Sequence, residues 1–191
     1  MSKKHFLSGF LILVIFSSVT GQGKFADTRD GSVYNTITVN SSTWMTENLR
    51  FMGIAGSFCF ENDKNNLAVY GALYEWKAAT KACPAGWHLP TGDEYRVLTE
   101  HLENHDSWGR GPSGSFNIQM GGLQDFEGVF SEMDEGGYYW TSSEYDKDNA
   151  EYFSYLVIIN RSVADISRKA DIPDIPGSEK MNRYSVRCVK D

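Results

Sequence analysis

Cysteine is scarce in this chain of 191 residues, which contains only Cys59, Cys83 and Cys188. In an exported chain, three cysteines allow one disulfide and one leftover thiol, and from the sequence alone any two of the three could form the pair. The first cysteine lies far from residues 19–21, so the cysteine that would take the lipid of a bacterial lipoprotein is missing.

Catalytic and nucleotide-binding motifs are missing as well. No glycine of the glycine-rich residues 106–137 is followed by Lys-Ser or Lys-Thr, which argues against a phosphate-binding loop, and there is no Gly-x-Ser-x-Gly elbow. His101 and His105 lack the His-Glu-x-x-His order and a third ligand, so we interpret them as part of a solvated helix end. We therefore expect no catalysis, no metal and no cofactor.

Basic residues are few, with 18 Lys and Arg against 25 Asp and Glu and a net charge of −7. They are scattered along the chain, so the electrostatic footprint of a nucleic-acid-binding protein is missing. The hydrophobic content of 41% and the aromatic content of 14%, by contrast, can fill the core of one ordinary domain.

The N-terminal residues 1–21 have the pattern of a secretory signal peptide. Lys3 and Lys4 form a positive region, residues 6–19 are mainly apolar, and small residues follow. The uninterrupted apolar run is shorter than the about 20 residues that a membrane-spanning helix needs. We therefore expect cleavage near Gln22 and a secreted or periplasmic product that is not stably inserted in a membrane.

The stretch at residues 83–95 combines a turn with a helix start. Two prolines make residues 83–90 extended or turning, because proline fixes φ and removes an N–H donor. Thr91 and Glu94 then form a capping box, which predicts a helix that ends near residue 104. Apolar residues recur on one face of this helix at Tyr95, Leu98 and Leu102.

The remaining segments predict mostly strands. A hairpin is expected from strands at residues 31–39 and 43–45 with a turn between them, and a first helix is expected at residues 67–80, with Trp76 in the core. His88 is interpreted as a hydrogen-bonded structural residue. The glycine-rich segment predicts a long, internally packed loop. Further strands are predicted at residues 138–142, 151–160, 162–167 and 184–189, with a turn at residues 146–149 and an exposed loop at residues 171–177.

A series of motifs resembles one bacterial family. They lie in the family's order at residues 29–34, 44–49, 70–76, 83–95, 139–143 and 185–191: Arg-Asp-Gly-x-x-Tyr, Trp-Met-x-Glu-Asn-Leu, Tyr-Gly-x-Leu-Tyr-x-Trp, Cys-Pro-x-Gly-Trp-His-Leu-Pro-Thr-x-x-Glu-Tyr, Tyr-Trp-Thr-Ser-Ser and Ser-Val-Arg-Cys-Val-Lys-Asp. Over residues 27–191 the chain is similar to the Fibrobacter succinogenes major paralogous domain family of exported bacterial domains, itself distantly similar to the formylglycine-generating enzyme superfamily.

This resemblance implies an α+β, C-type-lectin-like fold. Two helices would pack on antiparallel sheets, with a long glycine-rich loop region and adjacent N- and C-terminal strands. The resemblance also implies a disulfide between Cys83 and Cys188, which would leave Cys59 as a buried thiol or as a point of dimerisation.

We expect an exported, non-catalytic recognition or adhesion domain of an envelope or secreted protein. Its partner would be an extracellular glycan or protein surface, contacted by loops between residues 109 and 183. Trp108, Trp140 and Tyr145 are the candidate contact residues, although Trp140 follows two tyrosines in a predicted strand and fits the core better. The residues of the turn motif are expected to be structural: Trp87, Pro90, Thr91 and Glu94.

Two alternatives are a structural component of the envelope and an oxidase like the formylglycine-generating enzymes. The oxidases share the Leu-Pro-Thr-x-x-Glu helix start and the Arg-Cys ending. Their chemistry, however, needs a pair of reactive cysteines ahead of the final strand, and residues 162–183 contain no cysteine. The sugar-holding motifs of calcium-dependent lectins are also absent, so calcium-dependent sugar binding is not implied.

Overall fold

The computed structural model of the chain describes residues 21–104, 116–158, 161–167 and 178–191. The signal peptide predicted at residues 1–21 lies outside these ranges except for Gly21, and so do His105, Trp108 and the loop predicted at residues 171–177. The described part is α+β, and strands predominate over helices. Within it, none of the helices has the length and apolar character that crossing a bilayer requires.

The described strands form two sheets. The smaller sheet has the order β1 (Gln22–Ala26), β2 (Val33–Val39), β3 (Ser42–Met45), β14 (Val189–Lys190) and β6 (Trp87–His88). The larger sheet has the order β11 (Arg161–Ser167), β10 (Asn149–Ile158), β9 (Gly136–Glu144), β7 (Gly121–Gln124), β13 (Arg183–Ser185), β5 (Leu73–Glu75) and β4 (Ser57–Phe58). In addition, β12 (Ser178–Glu179) pairs with β10 and β8 (Phe130–Met133) pairs with β7.

The N-terminal hairpin confirms the prediction for β2 and β3. Asn40 and Ser41 join the two strands with φ angles of 47° and 72°. Positive φ at both central residues is the geometry of the primed turns that match the twist of paired strands. The additional strand β1, which pairs antiparallel with β2, was not predicted.

The prediction of a single helix at residues 67–80 is wrong. The described residues contain α1 (Lys64–Tyr70) and α2 (Trp76–Ala82), with β5 between them. Gly71 breaks the helix at a φ of 82°, where an added Cβ would lie 2.5 Å from the Cβ of Asn48. Strand pairing of β5 with β13 therefore overrides the helical spacing of the apolar residues. Trp76 is half-buried, and its Nε1 donates to the carbonyl of Thr141 at 2.8 Å.

The helix predicted after the turn motif is confirmed as α3 (Gly92–Asn104). The Thr91 amide donates to Glu94 Oε2 at 2.7 Å, and the Glu94 amide donates to Thr91 Oγ1 at 3.1 Å, which is the reciprocal capping box. The apolar face is buried against both sheets. His101 is also buried, so its interpretation as part of a solvated helix end is wrong.

The glycine-rich segment forms β7 and β8 and the start of β9 where the structure describes it, so the prediction of one long loop is wrong there. Gly122 permits the close pairing of β7 with β8, because it has a φ of 62° and an added Cβ would lie 2.3 Å from the Ser131 carbonyl oxygen. Phe116 is buried and Phe130 packs on Phe60, whereas Phe126 is exposed.

The C-terminal segment was predicted as one strand, but it divides into two. β13 belongs to the larger sheet and β14 to the smaller one, and β14 lies beside β3. Val186, Arg187 and Cys188 connect them and are buried. Cys188 is bonded to Cys83 with an S–S distance of 2.07 Å, so the disulfide is confirmed, and Cys59 is a buried free thiol.

We expect removal of the disulfide by Cys188→Ala to lower the free energy of unfolding by about 2–5 kcal/mol, because the bond closes a long loop in the unfolded chain. Its cysteines are 105 residues apart. Denaturant unfolding measures the loss. Cys59→Ala is the control, since it removes a buried thiol without removing a cross-link. Equal losses in the two variants, or non-reducing peptide maps that pair Cys59, would refute the assignment.

Candidate functional site

The structure gives a different result for each of the three predicted contact residues. Trp140 is 0% exposed and its Nε1 donates to the Tyr74 carbonyl at 2.6 Å, so it is a core residue and its prediction as a contact is wrong. Tyr145 is 41% exposed, in the turn after β9. Trp108 lies outside the described residues. Tyr145 is therefore the one of the three that is described and accessible to a ligand.

The residues of the turn motif hold the fold together. Trp87 is buried, and its ring centroid is 4.9 Å from that of Phe25. The Pro90 carbonyl accepts from the Ser142 amide at 2.7 Å, which joins the turn to β9. With the capping box of Thr91 and Glu94, these contacts are internal.

Three turns of the larger sheet lie close together, because Gln124 is bonded to Arg183 and Lys180 is bonded to the turn between β9 and β10. We call this surface the loop end. It comprises the β7–β8, β9–β10 and β12–β13 turns and the side chains next to them: Phe58, Glu75, Trp76, Gln124, Phe126, Val129, Tyr145, Lys180, Met181 and Arg183.

Arg183 joins three strands at the loop end. Its Nη1 donates to Gln124 Oε1 at 2.6 Å, and its Nη2 donates to Glu75 Oε1 at 3.3 Å. The guanidinium carbon lies 3.8 Å from the ring centroid of Phe58, which is within cation–π distance. The cluster is partly buried, so the side chains are held in fixed positions at the surface.

Lys180 connects the β12–β13 turn to the β9–β10 turn. Its Nζ donates to the Glu144 carboxylate and to the carbonyls of Asp146 and Lys147, at 2.7 Å and 2.8 Å for the two carbonyls. An ammonium group has three N–H donors, and these acceptors match that number. The same Nζ lies 4.8 Å from the ring centroid of Trp76. The charge therefore ties the β9–β10 turn to the β12–β13 turn and to the start of α2.

Hydrogen bonds within the β9–β10 turn also hold its backbone in place. Asp146 Oδ1 accepts from the amides of Asp148 and Asn149 at 2.9 Å and 2.8 Å, and from Asn149 Nδ2 at 2.9 Å. Aspartate side chains stabilise turns in this way. Tyr145, the first residue of this turn, therefore lies on a backbone that these bonds hold in place.

Apolar side chains are exposed beside these polar clusters. Phe126 and Val129 lie in the β7–β8 turn, and Met181 lies in the β12–β13 turn. Gln124 joins the first turn to Arg183, because its Nε2 donates to the Gly128 carbonyl at 2.8 Å while its Oε1 accepts from Arg183. The loop end therefore presents apolar side chains on braced turns, an arrangement suited to binding. Among the described residues no group of three or more His, Cys, Asp or Glu is placed to hold a metal ion.

Sequence reasoning missed Lys180, Gln124 and Arg183. Their partners are up to 108 residues away in the sequence, and no local spacing connects them. The polar turn residues around position 146 were the signal in the sequence for a binding surface, and they did indicate one part of the loop end.

His88 forms a second polar cluster, away from the loop end. Its Nδ1 lies 2.6 Å from Asp191 Oδ1 and its Nε2 lies 3.0 Å from Glu94 Oε1, which confirms it as a hydrogen-bonded structural residue. Burial lowers the pKa of His88, but the bonds to the two carboxylates outweigh burial, so the pKa is raised above its usual value. For Glu94, burial raises the pKa, but bonds from Thr91 and His88 outweigh it and the pKa is lowered.

We expect the free energy of unfolding to fall as the pH rises from about 6 to about 8. The stabilisation from protonated His88 is fully present below the ordinary histidine pKa of about 6.5 and is lost as the pH passes through the raised pKa of the folded protein. Urea unfolding across this pH range measures the slope. His88→Gln should flatten it, and a slope that stays the same in this variant would rule out the His88 cluster as its source.

One comparison with known proteins agrees with the motifs. Residues 37–112 match the family model described as the Fibrobacter succinogenes major domain. The match includes the end of β2, all of β3 and the helices α1 to α3, and hence the turn at Cys83 and the capping box. Searches of curated proteins and of solved structures found no match. The family resemblance drawn from the motifs is thereby confirmed over residues 37–112, which carry the Fibrobacter succinogenes major domain.

Proposed function

We propose that this chain is an exported, non-catalytic binding domain that contacts its ligand through the loop end. The observation that carries the proposal is the combination of exposed Phe126, Val129 and Met181 with turns that Lys180 and Arg183 brace. Recognition surfaces are typically loops held by a rigid scaffold. Export is supported by the Cys83–Cys188 bond, since disulfides persist in oxidising compartments.

The proposal includes the C-type-lectin-like fold that the family resemblance implies. In its support, β14 lies next to β3, so the chain's last strand joins the sheet of its first strands. Three turns of the larger sheet lie close together at the loop end, which would be the recognition surface of such a fold. The two predicted helices are replaced by three in the described residues, since β5 separates α1 from α2.

The side-chain chemistry favours binding over catalysis. Glu75 and Glu144 are engaged by Arg183 and Lys180, so these carboxylates serve as braces. The oxidase alternative needs two reactive cysteines. Cys188 is instead bonded to Cys83, and the third cysteine, Cys59, is buried.

Of the two ligand classes expected from the sequence, the loop end favours a protein surface. Aromatic residues, methionine and arginine are enriched in protein interfaces, whose apolar centre is surrounded by a polar rim. The loop end has this composition, with apolar side chains next to the ion pairs of Arg183 and Lys180. Its acidic turn at residues 144–148 does not suit nucleic acid.

We expect Phe126→Ala and Val129→Ser to weaken binding of the mature protein to its partner by at least about tenfold, because central apolar contacts carry most of the energy of an interface. Binding is measured by interferometry against arrays of extracellular proteins and of glycans, with and without EDTA. The thermal unfolding of both variants should match the wild type, because the two side chains are exposed.

Val97→Ser is the matched control, since Val97 lies on α3 and is 53% exposed, against 56% for Val129. Loss of binding in Val97→Ser with no loss in Val129→Ser would contradict the loop-end proposal. Ligands found among glycans alone would contradict the protein-surface assignment. A protein that binds nothing in either array would instead favour the structural envelope component.

A further inference from the structure

A groove of about 560 Å³ lies outside the loop end. The turn after β1, the segment after β3 and the start of α1 form its walls. Three cationic and three apolar side chains dominate the lining: Arg29, Arg50, Lys64, Phe51, Met52 and Leu67. Its size is within the range of about 300–1,000 Å³ that is usual for small-molecule sites.

The charge of the groove is opposite to that of the chain. Three cations line it, and Asp30 is the one carboxylate among the lining residues, although the whole chain has a net charge of −7. Outside the lining, Asp27 pairs with Arg29 at 2.7 Å and Glu47 approaches Arg50 at 4.0 Å, so both arginines are partly neutralised. Lys64 is exposed and makes no ion pair with any described residue. The groove therefore keeps a cation available for an anionic ligand.

Both arginines are held in place before any ligand arrives. The guanidinium of Arg29 lies 3.9 Å from the ring centroid of Phe51 and donates to the Ala82 carbonyl at 2.8 Å. The guanidinium of Arg50 lies 4.4 Å from the ring centroid of Tyr34, and its Nη2 donates to the Val33 carbonyl at 2.7 Å. A guanidinium has five N–H donors, so these bonds leave donors for a ligand. Fixed side chains lose little entropy on binding.

The apolar lining indicates what the anion is attached to. Met52 is exposed beside the cations, Phe51 is half-buried there, and Leu67 on α1 is also part of the lining. An aromatic or aliphatic floor packs against the C–H face of a pyranose ring, while arginine and lysine pair with a carboxylate. Uronic acids combine these two features in one residue.

We propose that the groove binds acidic oligosaccharides, with the carboxylate of a uronate near Arg50 and Lys64 and the sugar ring against Phe51 and Met52. This site is separate from the loop end and does not depend on it. The chain would then recognise a protein at one surface and an acidic glycan at another.

The test uses trigalacturonate as the probe, titrated into the mature protein by calorimetry and by NMR, with maltotriose as the neutral comparison. Lys64→Gln should weaken binding about fivefold, the upper part of the range for one exposed ion pair. Lys64→Arg should retain it. Binding should also weaken at high salt, because salt screens exposed charges.

Lys190→Gln is the matched control, since it removes the same charge from β14, outside the groove. An equal loss in this control, equal binding of maltotriose, or tighter binding of a sulfated trisaccharide would overturn the uronate site. So would binding that Lys64→Gln leaves unchanged. Val129→Ser should leave trigalacturonate binding intact, so that failure here is distinguishable from failure of the loop-end proposal.

Discussion

The guanidinium of Arg187 is a buried charge on which the arrangement of the two sheets depends. It is 0% exposed and donates to the carbonyls of Phe116 and Asn117 at 2.8 Å and 3.1 Å, and to Asn48 Oδ1 at 2.8 Å. Burial lowers the pKa of Arg187, and a buried charge is costly unless its donors are satisfied. The segment from β13 to β14 therefore crosses between the sheets at the place where these three oxygens accept hydrogen bonds from the Arg187 guanidinium.

The segment that runs from β13 to β14 also positions the loop end. β13 enters the larger sheet with Arg183 at its first residue, and the Cys83–Cys188 bond fixes the segment after β13 to the end of α2. Lys180 then ties the turn before β13 to the β9–β10 turn. The exposed apolar side chains therefore lie on turns whose positions are fixed by the neighbouring strands and by ion pairs. A protein partner would meet a surface already in its binding shape, which lowers the entropy cost of association.

Features with local causes could be predicted from the sequence. The capping box specified the start of α3, and alternation and turn residues specified β2 and β3. The disulfide came from the family resemblance, since the spacing of the cysteines left all pairs open. Features set by distant contacts could not be predicted: β5 is a strand because β13 pairs with it, and Lys180 and Arg183 acquire their roles from residues on other strands. For Trp140 the place in the strand already favoured the core over a contact role, and the residue is buried against Tyr184.

Hydrogen–deuterium exchange of the mature protein, with and without a protein ligand from the interaction array, tests the central claim most directly. The account predicts slow exchange in β13 and β14 in both states and new protection on binding at residues 124–129, 144–149 and 179–183. Protection confined to the outer face of α3 or to the smaller sheet would contradict the claim that the loop end is the recognition surface.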